Sequence, residues 1–204
     1  MPHESRKAIT MMTSCFKGKF KVTSPRGYRN LGGNEYHGGM DLVALEDKTV
    51  YAIAEGTVDA VPYEAGGFGY YVRQLLPDGR RLYYGHLAKG NIVVKAGQKI
   101  KAGDKLGTMG STGRSTGAHT HIELRPKGTS KTSLDISEFT GIPNKIGTYV
   151  YKPTKTDEEK HTYAVECACN LEDKTGLDKN TINWLWTYKY ADDLFIKLWE
   201  AMKG

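Results

Sequence analysis

A chain of 204 residues, 39% hydrophobic and 25% charged, is long enough to bury one ordinary core plus a small appendage, and too short for two full domains. Its net charge of +6 attracts polyanions, anionic wall polymers among them. The positive charges form no run of about five or six and no aromatic-interleaved basic motif, which argues against a nucleic-acid reader. No stretch approaches the ~20 apolar residues of a membrane span. Cys15, Cys167 and Cys169 are too few and too odd in number for a closed disulfide framework, and Cys167 and Cys169 are badly spaced to pair with each other. From Met1 to Phe20 there are basic residues without the apolar stretch of a secretory signal, so the expectation is synthesis in a cytoplasm without a recognisable signal peptide.

In chain order, Lys21 to about Arg125 consists of short runs rich in Val, Ile, Tyr and Leu, broken by Gly, Asp and Pro, the pattern of a mainly β domain. Strands are expected at Asp41 to Ala44, Thr49 to Ala52, Gly56 to Val61, Tyr70 to Leu76, Arg80 to Gly85, Lys99 to Ile100, Lys105 to Met109 and His119 to Leu124. Pro77-Asp78-Gly79 predicts a hairpin turn, because Pro presets φ and Gly accepts a left-handed backbone. From Ser130 to Pro153 the text loosens into a Ser, Thr, Gly and Pro-rich connection, with Thr140 to Pro143 and Tyr149 to Pro153 expected to be irregular. A domain edge near Tyr151 then separates residues 1–150 from a segment, 151–204, with apolar residues at helical spacing: Leu177, Ile182, Leu185, Trp186, Leu194, Ile196, Leu198, Trp199 and Met202. Two helices are predicted there, with Asp178 or Thr181 near one start and Asp192 near the other. A pair this short needs to dock, dimerise or bind something to bury its apolar face.

Three of the six histidines stand beside the densest glycine signals: His37 before Gly38-Gly39, His86 after Gly85, and His119 after Gly113 to Gly117. On a strand, His119 and His121 share a face ~6 to 7 Å apart, with Thr120 on the other. His37 and Asp41, four residues apart around a double glycine, offer one nitrogen and one oxygen. Neither pair alone is specific. Together they supply His, Asp and His and leave a fourth tetrahedral position open, as catalytic rather than structural zinc sites do.

The text from Thr23 to Arg125 resembles the lysostaphin and LytM family of peptidoglycan endopeptidases. Ser24-Pro25-Arg26-Gly27-Tyr28-Arg29 is similar to the family's opening segment, His37-Gly38-Gly39-Met40-Asp41-Leu42 to its first metal motif, and Val50 to Val58 to its V-x-A-x-x-x-G-x-V strand pair. Tyr84-Gly85-His86-Leu87, the hairpin of Val94 to Lys105, and the glycine-rich loop with its H-x-H strand, Gly110 to Leu124, follow in the family's order. Ala118 stands where Pro is common, and Thr120 where Leu is common.

The resemblance implies a mainly antiparallel β fold, related to the duplicated hybrid or barrel-sandwich fold, with a motif-bearing core at residues 21–126; the C-terminal helices are expected to form a small appendage for targeting or oligomerisation. It implies one Zn²⁺ held by His37, Asp41 and His121, with His86 and His119 unligated as catalytic groups; which of the two is base and which stabilises the oxyanion stays open. The implied partner is the bacterial peptidoglycan peptide and the implied action is cell-wall lysis; with no recognisable signal peptide, the enzyme is expected to be released by lysis or carried on a phage particle. The loop from Arg29 to Tyr36 and the connection after Pro126 are expected to build the cleft walls.

A non-catalytic peptidoglycan-binding or hydrolase-activating module on the same scaffold is the competing class, although degenerate forms usually lose ligands and this chain keeps the full set. The turns at Val94 to Gly97 and Ala102 to Asp104 also resemble those of lipoyl and biotinyl carrier domains, a reading that leaves the histidines unexplained. Cys167-Ala168-Cys169 with His161 matches no standard zinc module; shielded thiols are expected instead.

Overall fold

Alternation of buried and open positions at period two organises the first part of the chain. The computed structural model describes residues 14–30, 34–128, 132–151, 166–171, 173–185 and 191–203. Its strands are β1 (Lys19–Ser24), β2 (Gly27–Asn30), β3 (Asn34–His37), β4 (Met40–Ala44), β5 (Thr49–Tyr51), β6 (Gly56–Ala60), β7 (Tyr63–Glu64), β8 (Gly69–Leu75), β9 (Arg81–Leu87), β10 (Lys99–Ile100), β11 (Lys105–Thr108), β12 (Thr120–Arg125) and β13 (Gly147–Val150), with helix α1 (Ile136–Thr140) before the last. A nine-stranded sheet runs β10-β6-β8-β9-β12-β4-β1-β13, with β7 added to β8. β11 pairs with β5, and β2 pairs with β3. Every pairing is antiparallel.

Two adjacent rows across this sheet explain the architecture. Met40, Ile122, Tyr84 and Val72 are successive cross-strand partners on β4, β12, β9 and β8, and all four are fully buried. Burying each such side chain stabilises the fold by about 1.5–3 kcal/mol. Their core also holds Phe20, Val22, Leu42, Leu82 and Leu124. The next row is Ser24, Asp41, His121 and Gly85, which faces the opposite way because successive side chains alternate across a strand. One row makes the core and its neighbour makes the cleft.

The Pro77–Gly79 turn joins β8 to β9 as its sequence predicts: Gly79 has φ 87°, and its N–H donates to Leu76 O at 2.9 Å. Several strand ends differ from the expected ones by a residue or two. His119 itself precedes β12 and forms an isolated bridge to Gly110. β1 and β13 were not among the expected strands, and the Arg29 to Tyr36 loop is largely the hairpin β2–β3. The connection after Ser130 contains both α1 and β13; residues 141–143 are irregular as expected, whereas Tyr149 and Val150 belong to β13. α1 is too short to show helical periodicity, and it is specified by its ends: Asp135 accepts from Ser137 N–H, and Gly141 closes the helix with φ 74°.

The chain divides into two compact units, Met1–Thr154 and Lys155–Gly204. In the second, residues 166–171 and 173–175 are helical, followed by α2 (Lys179–Leu185) and α3 (Ala191–Lys203). Asp178 caps α2, its Oδ1 accepting from the N–H groups of Asn180 and Thr181 at 2.8 and 3.2 Å. Cys167, Leu171, Ile182, Phe195 and Trp199 form a separate buried cluster. Cys167 is buried but Cys169 is exposed, a correction to the expectation of two shielded thiols: on a helix, residues two apart point to nearly opposite sides. His3, His161 and Trp186 lie outside the described residues. Among the described residues no helix is long and apolar enough to cross a membrane.

Candidate active site

The five residues singled out by sequence converge on the cleft row. β3 ends at His37, β4 supplies Asp41, β12 supplies His121, and β9 supplies His86. His121 and Asp41 are direct cross-strand partners. The double glycine between His37 and Asp41 serves close packing: a Cβ on Gly39 would lie 2.1 Å from Ile122 O and 2.7 Å from His121 Nε2, and one on Gly38 would lie 3.1 Å from the Glu123 carboxyl. Any side chain at Gly39 would push the first ligand strand away from the second.

Three donor atoms form a nearly equilateral triangle. His37 Nε2 is 3.1 Å from Asp41 Oδ1 and 2.9 Å from His121 Nδ1, and His121 Nδ1 is 2.9 Å from Asp41 Oδ1. The outer side of each group is already committed. His37 Nδ1–H donates to Pro25 O at 2.8 Å. His121 Nε2–H donates to Glu123 Oε2 at 3.2 Å, and Arg29 Nη2 donates to Asp41 Oδ2 at 2.8 Å. In neutral rings these bonds leave lone pairs on the two inward nitrogens, facing each other and a carboxylate oxygen. Such a set repels itself unless a proton or a cation sits among the three. Zinc's preferred donors are these atom types, and tetrahedral ligands lie about 3.3 Å apart, so the residues fit Zn²⁺ with a small opening of the triangle.

Without a cation, the same contacts favour a proton at the triangle. Burial works against the Asp41 carboxylate, but hydrogen bonds and charge from His121 and His37 outweigh it and hold its pKa well below the usual range. Burial likewise disfavours a charged His121, and its bonds to Asp41 and Glu123 more than offset this, raising its pKa. Glu123 is itself buried, a cost outweighed by His121 and Arg125, which together lower its pKa. Glu123 Oε1 accepts from Arg125 Nε at 2.6 Å, and the Arg125 guanidinium lies over the Tyr83 ring at 4.5 Å. The cleft face of β12 is thus one chain of contacts, His121 to Glu123 to Arg125.

His86 and His119 stand beside the triangle, their ring centroids 4.5 Å apart. Among the described residues His86 is the non-glycine residue with positive φ, 59°, a sparsely populated conformation that side chains tolerate only where surroundings enforce it. Its N–H is pinned to Phe68 O at 2.7 Å, and its Nδ1–H donates to Thr112 O at 2.8 Å. Burial, partly opposed by that bond, moves its pKa from 6.5 down to about 4. His119 Nδ1–H donates to Gly117 O at 2.8 Å, and its Nε2 lies 3.6 Å from Asp41 Oδ1. Both rings therefore spend Nδ1 on a main-chain carbonyl. A cavity of about 590 Å³ opens alongside, lined by Ser24, Tyr28, Arg29, Asp41, Thr116 and His119 among others.

Comparison with known proteins bears on this site. The description "Peptidase family M23" matches residues 35–133. The catalytic domain of the antimicrobial peptidase lysostaphin from Staphylococcus simulans superposes with a TM-score of 0.55 at 30% identity, over 60% of this chain and 93% of that one. The chain belongs to peptidase family M23. Among similar proteins, an uncharacterized metalloprotease of Haemophilus influenzae is 41% identical over 122 residues, 57% of this chain and 25% of its own length. The peptidoglycan DD-endopeptidase ShyC of Vibrio cholerae is 34% identical over 128 residues, 62% of this chain and 29% of its own. The chain thus spans between a quarter and a third of the length of these two relatives.

Sequence reasoning named the five central residues and missed those that fix them. Glu123 shares a strand face with His121 at a spacing of two, so the same periodicity that paired His119 with His121 pointed to it. Pro25 O, Thr112 O and Gly117 O act through the backbone, where residue type carries no signal.

Proposed function

We propose that this chain is a zinc-dependent endopeptidase that hydrolyses peptide bonds of bacterial peptidoglycan. The observation that carries the proposal is the triangle of His37 Nε2, Asp41 Oδ1 and His121 Nδ1, with the outer atoms of all three groups engaged. His37, Asp41 and His121 would hold one Zn²⁺. Bound there, the ion would supply Lewis acidity, lowering the pKa of a bound water to about 7 and polarising a carbonyl.

The remaining chemistry falls to His86 and His119. With Nδ1–H given to Thr112 O and Gly117 O, each ring exchanges protons at Nε2: neutral, it accepts a proton from the attacking water; protonated, it donates to the oxyanion or the leaving amine. The backbone bonds also stop the rings from turning, so no reorientation is needed as charge develops. The cavity beside His119 would take the peptide on one side of the scissile bond, and the peptidoglycan endopeptidase among the relatives favours wall peptide as the substrate class.

The test is release of new amino groups from purified peptidoglycan by the untreated protein, by chelator-treated protein, and by His119→Ala. Cleavage should disappear in both treated arms and return when zinc is restored to the chelated one. Cleavage that survives either chelation or His119→Ala would overturn the proposal.

A further inference from the structure

We propose that Asn144 is a positioning residue for His37, acting through the peptide group between Pro25 and Arg26. The inference rests on the reading of His37 as a metal ligand. Pro25 O, which accepts the His37 Nδ1–H at 2.8 Å, and the Arg26 N–H belong to one planar peptide unit. The Arg26 N–H donates to Asn144 Oδ1 at 2.7 Å, and Asn144 Nδ2 donates back to Arg26 O at 3.0 Å. One side-chain amide thus holds both main-chain polar groups of Arg26, much as a neighbouring strand would. Among the described residues, the other group near His37 Nδ1 is Ser24 Oγ at 3.5 Å, too long to take over the role.

The same segment also grips the Arg26 side chain. Its Nε donates to Ser133 Oγ at 3.1 Å, and its Nη2 to Ser133 O at 2.8 Å. That segment is itself anchored: Leu134 N–H donates to Leu124 O at 2.7 Å, and Ile136, Phe139 and Ile142 are buried in the core. Pro25 has no N–H of its own with which to fix the turn, so its carbonyl is aimed from the far side of the peptide unit, by a residue 118 positions along the chain. A hydrogen bond at the N–H end of a peptide also polarises its carbonyl and strengthens the bond made there. Asn144 lies beyond residues 35–133, which carry the family match.

The partner of a ligating histidine's second nitrogen orients the ring, and its loss typically weakens metal binding about 10–100-fold. Asn144→Ala removes both bonds to Arg26, whereas Asn144→Asp keeps an acceptor for the Arg26 N–H, the bond that aims Pro25 O, and replaces the donor to Arg26 O with a carboxylate oxygen. Zinc affinity is measured by competition with a chromophoric chelator for the unaltered protein and both variants. On the metal-free proteins, nitrogen-15 NMR follows exchange of the His37 Nδ1–H, and thermal unfolding checks that each is folded. The expected result is about 10–100-fold weaker zinc binding and faster Nδ1–H exchange in Asn144→Ala, with most of both recovered in Asn144→Asp. Affinity in Asn144→Ala within about twofold of the unaltered protein would overturn the inference, and so would equal losses in the two variants. Should Asn144→Ala fail to fold, Asn144→Asp decides alone: a retained Nδ1–H and near-normal affinity support the inference, and loss of both overturns it. If the unaltered protein binds no zinc, the ligand reading fails, and the Nδ1–H measurement on metal-free protein still judges the hydrogen-bond chain.

Discussion

Strand β12 carries Thr120, Ile122 and Leu124 on one face and His121, Glu123 and Arg125 on the other, and its neighbour β4 carries Met40, Leu42 and Ala44 against Asp41. The first face is held by apolar burial, which is non-directional and tolerant of shape-conserving change. The second is held by hydrogen bonds and charge, where each atom has an assigned partner and a single loss strands a buried polar group. The faces are one residue apart in sequence, so substitutions at adjacent positions should fail in different ways.

The largest effect is expected on the cleft face. His119→Ala should lower peptidoglycan cleavage by about 10²–10⁴-fold with a thermal midpoint near that of the unaltered protein, as steady-state assays and calorimetry would register. A large drop in stability instead would mean that the two faces are not separable. On the core face the pattern reverses. Leu42→Ala should cost about 2–5 kcal/mol of folding stability in denaturant titration, while any protein still folded keeps its zinc affinity.

Smaller effects sharpen the contrast. Glu123→Gln keeps an oxygen for the His121 Nε2–H but removes the charge that also pairs with Arg125; zinc affinity should fall by about 10–100-fold, and zinc-free stability at neutral pH should fall too, because the lowered Glu123 pKa marks an ionised form that favours the fold. Thr120 offers the opposite case, since its Oγ1 is buried on the core face without a hydrogen-bond partner among the described residues. Thr120→Val should raise stability by about 1 kcal/mol by removing that stranded hydroxyl, and cleavage should be unaffected; a loss of stability would show that the hydroxyl has a role.

The contrast between faces also explains what was legible in the sequence. Apolar periodicity located most of the inner strands, though not β1, and the candidate site showed in the spacing of His119 with His121, since residues two apart on an extended chain share a face, and in the double glycine that lets His37 at the end of β3 approach Asp41 on β4. α1 and β13 stayed hidden because a five-residue helix and a four-residue edge strand are set by caps and long-range pairing. The supports of the site were hidden for a related reason. Pro25, Thr112 and Gly117 contribute carbonyl oxygens that every residue possesses, and Asn144 reaches His37 only through a fold that brings residues 26 and 144 together. Gly39 was visible as a glycine, but its cause, the closeness of Ile122 O and His121, emerges only once β12 is in place.

The central claim is that the His37, Asp41 and His121 triangle holds a single zinc ion, and metal analysis of the purified protein tests it most directly. After equilibration with zinc and dialysis, the protein should retain about one zinc per chain, and Asp41→Ala almost none, as a three-ligand catalytic site requires. Zinc retained equally by Asp41→Ala, or absent from the unaltered protein, would contradict it.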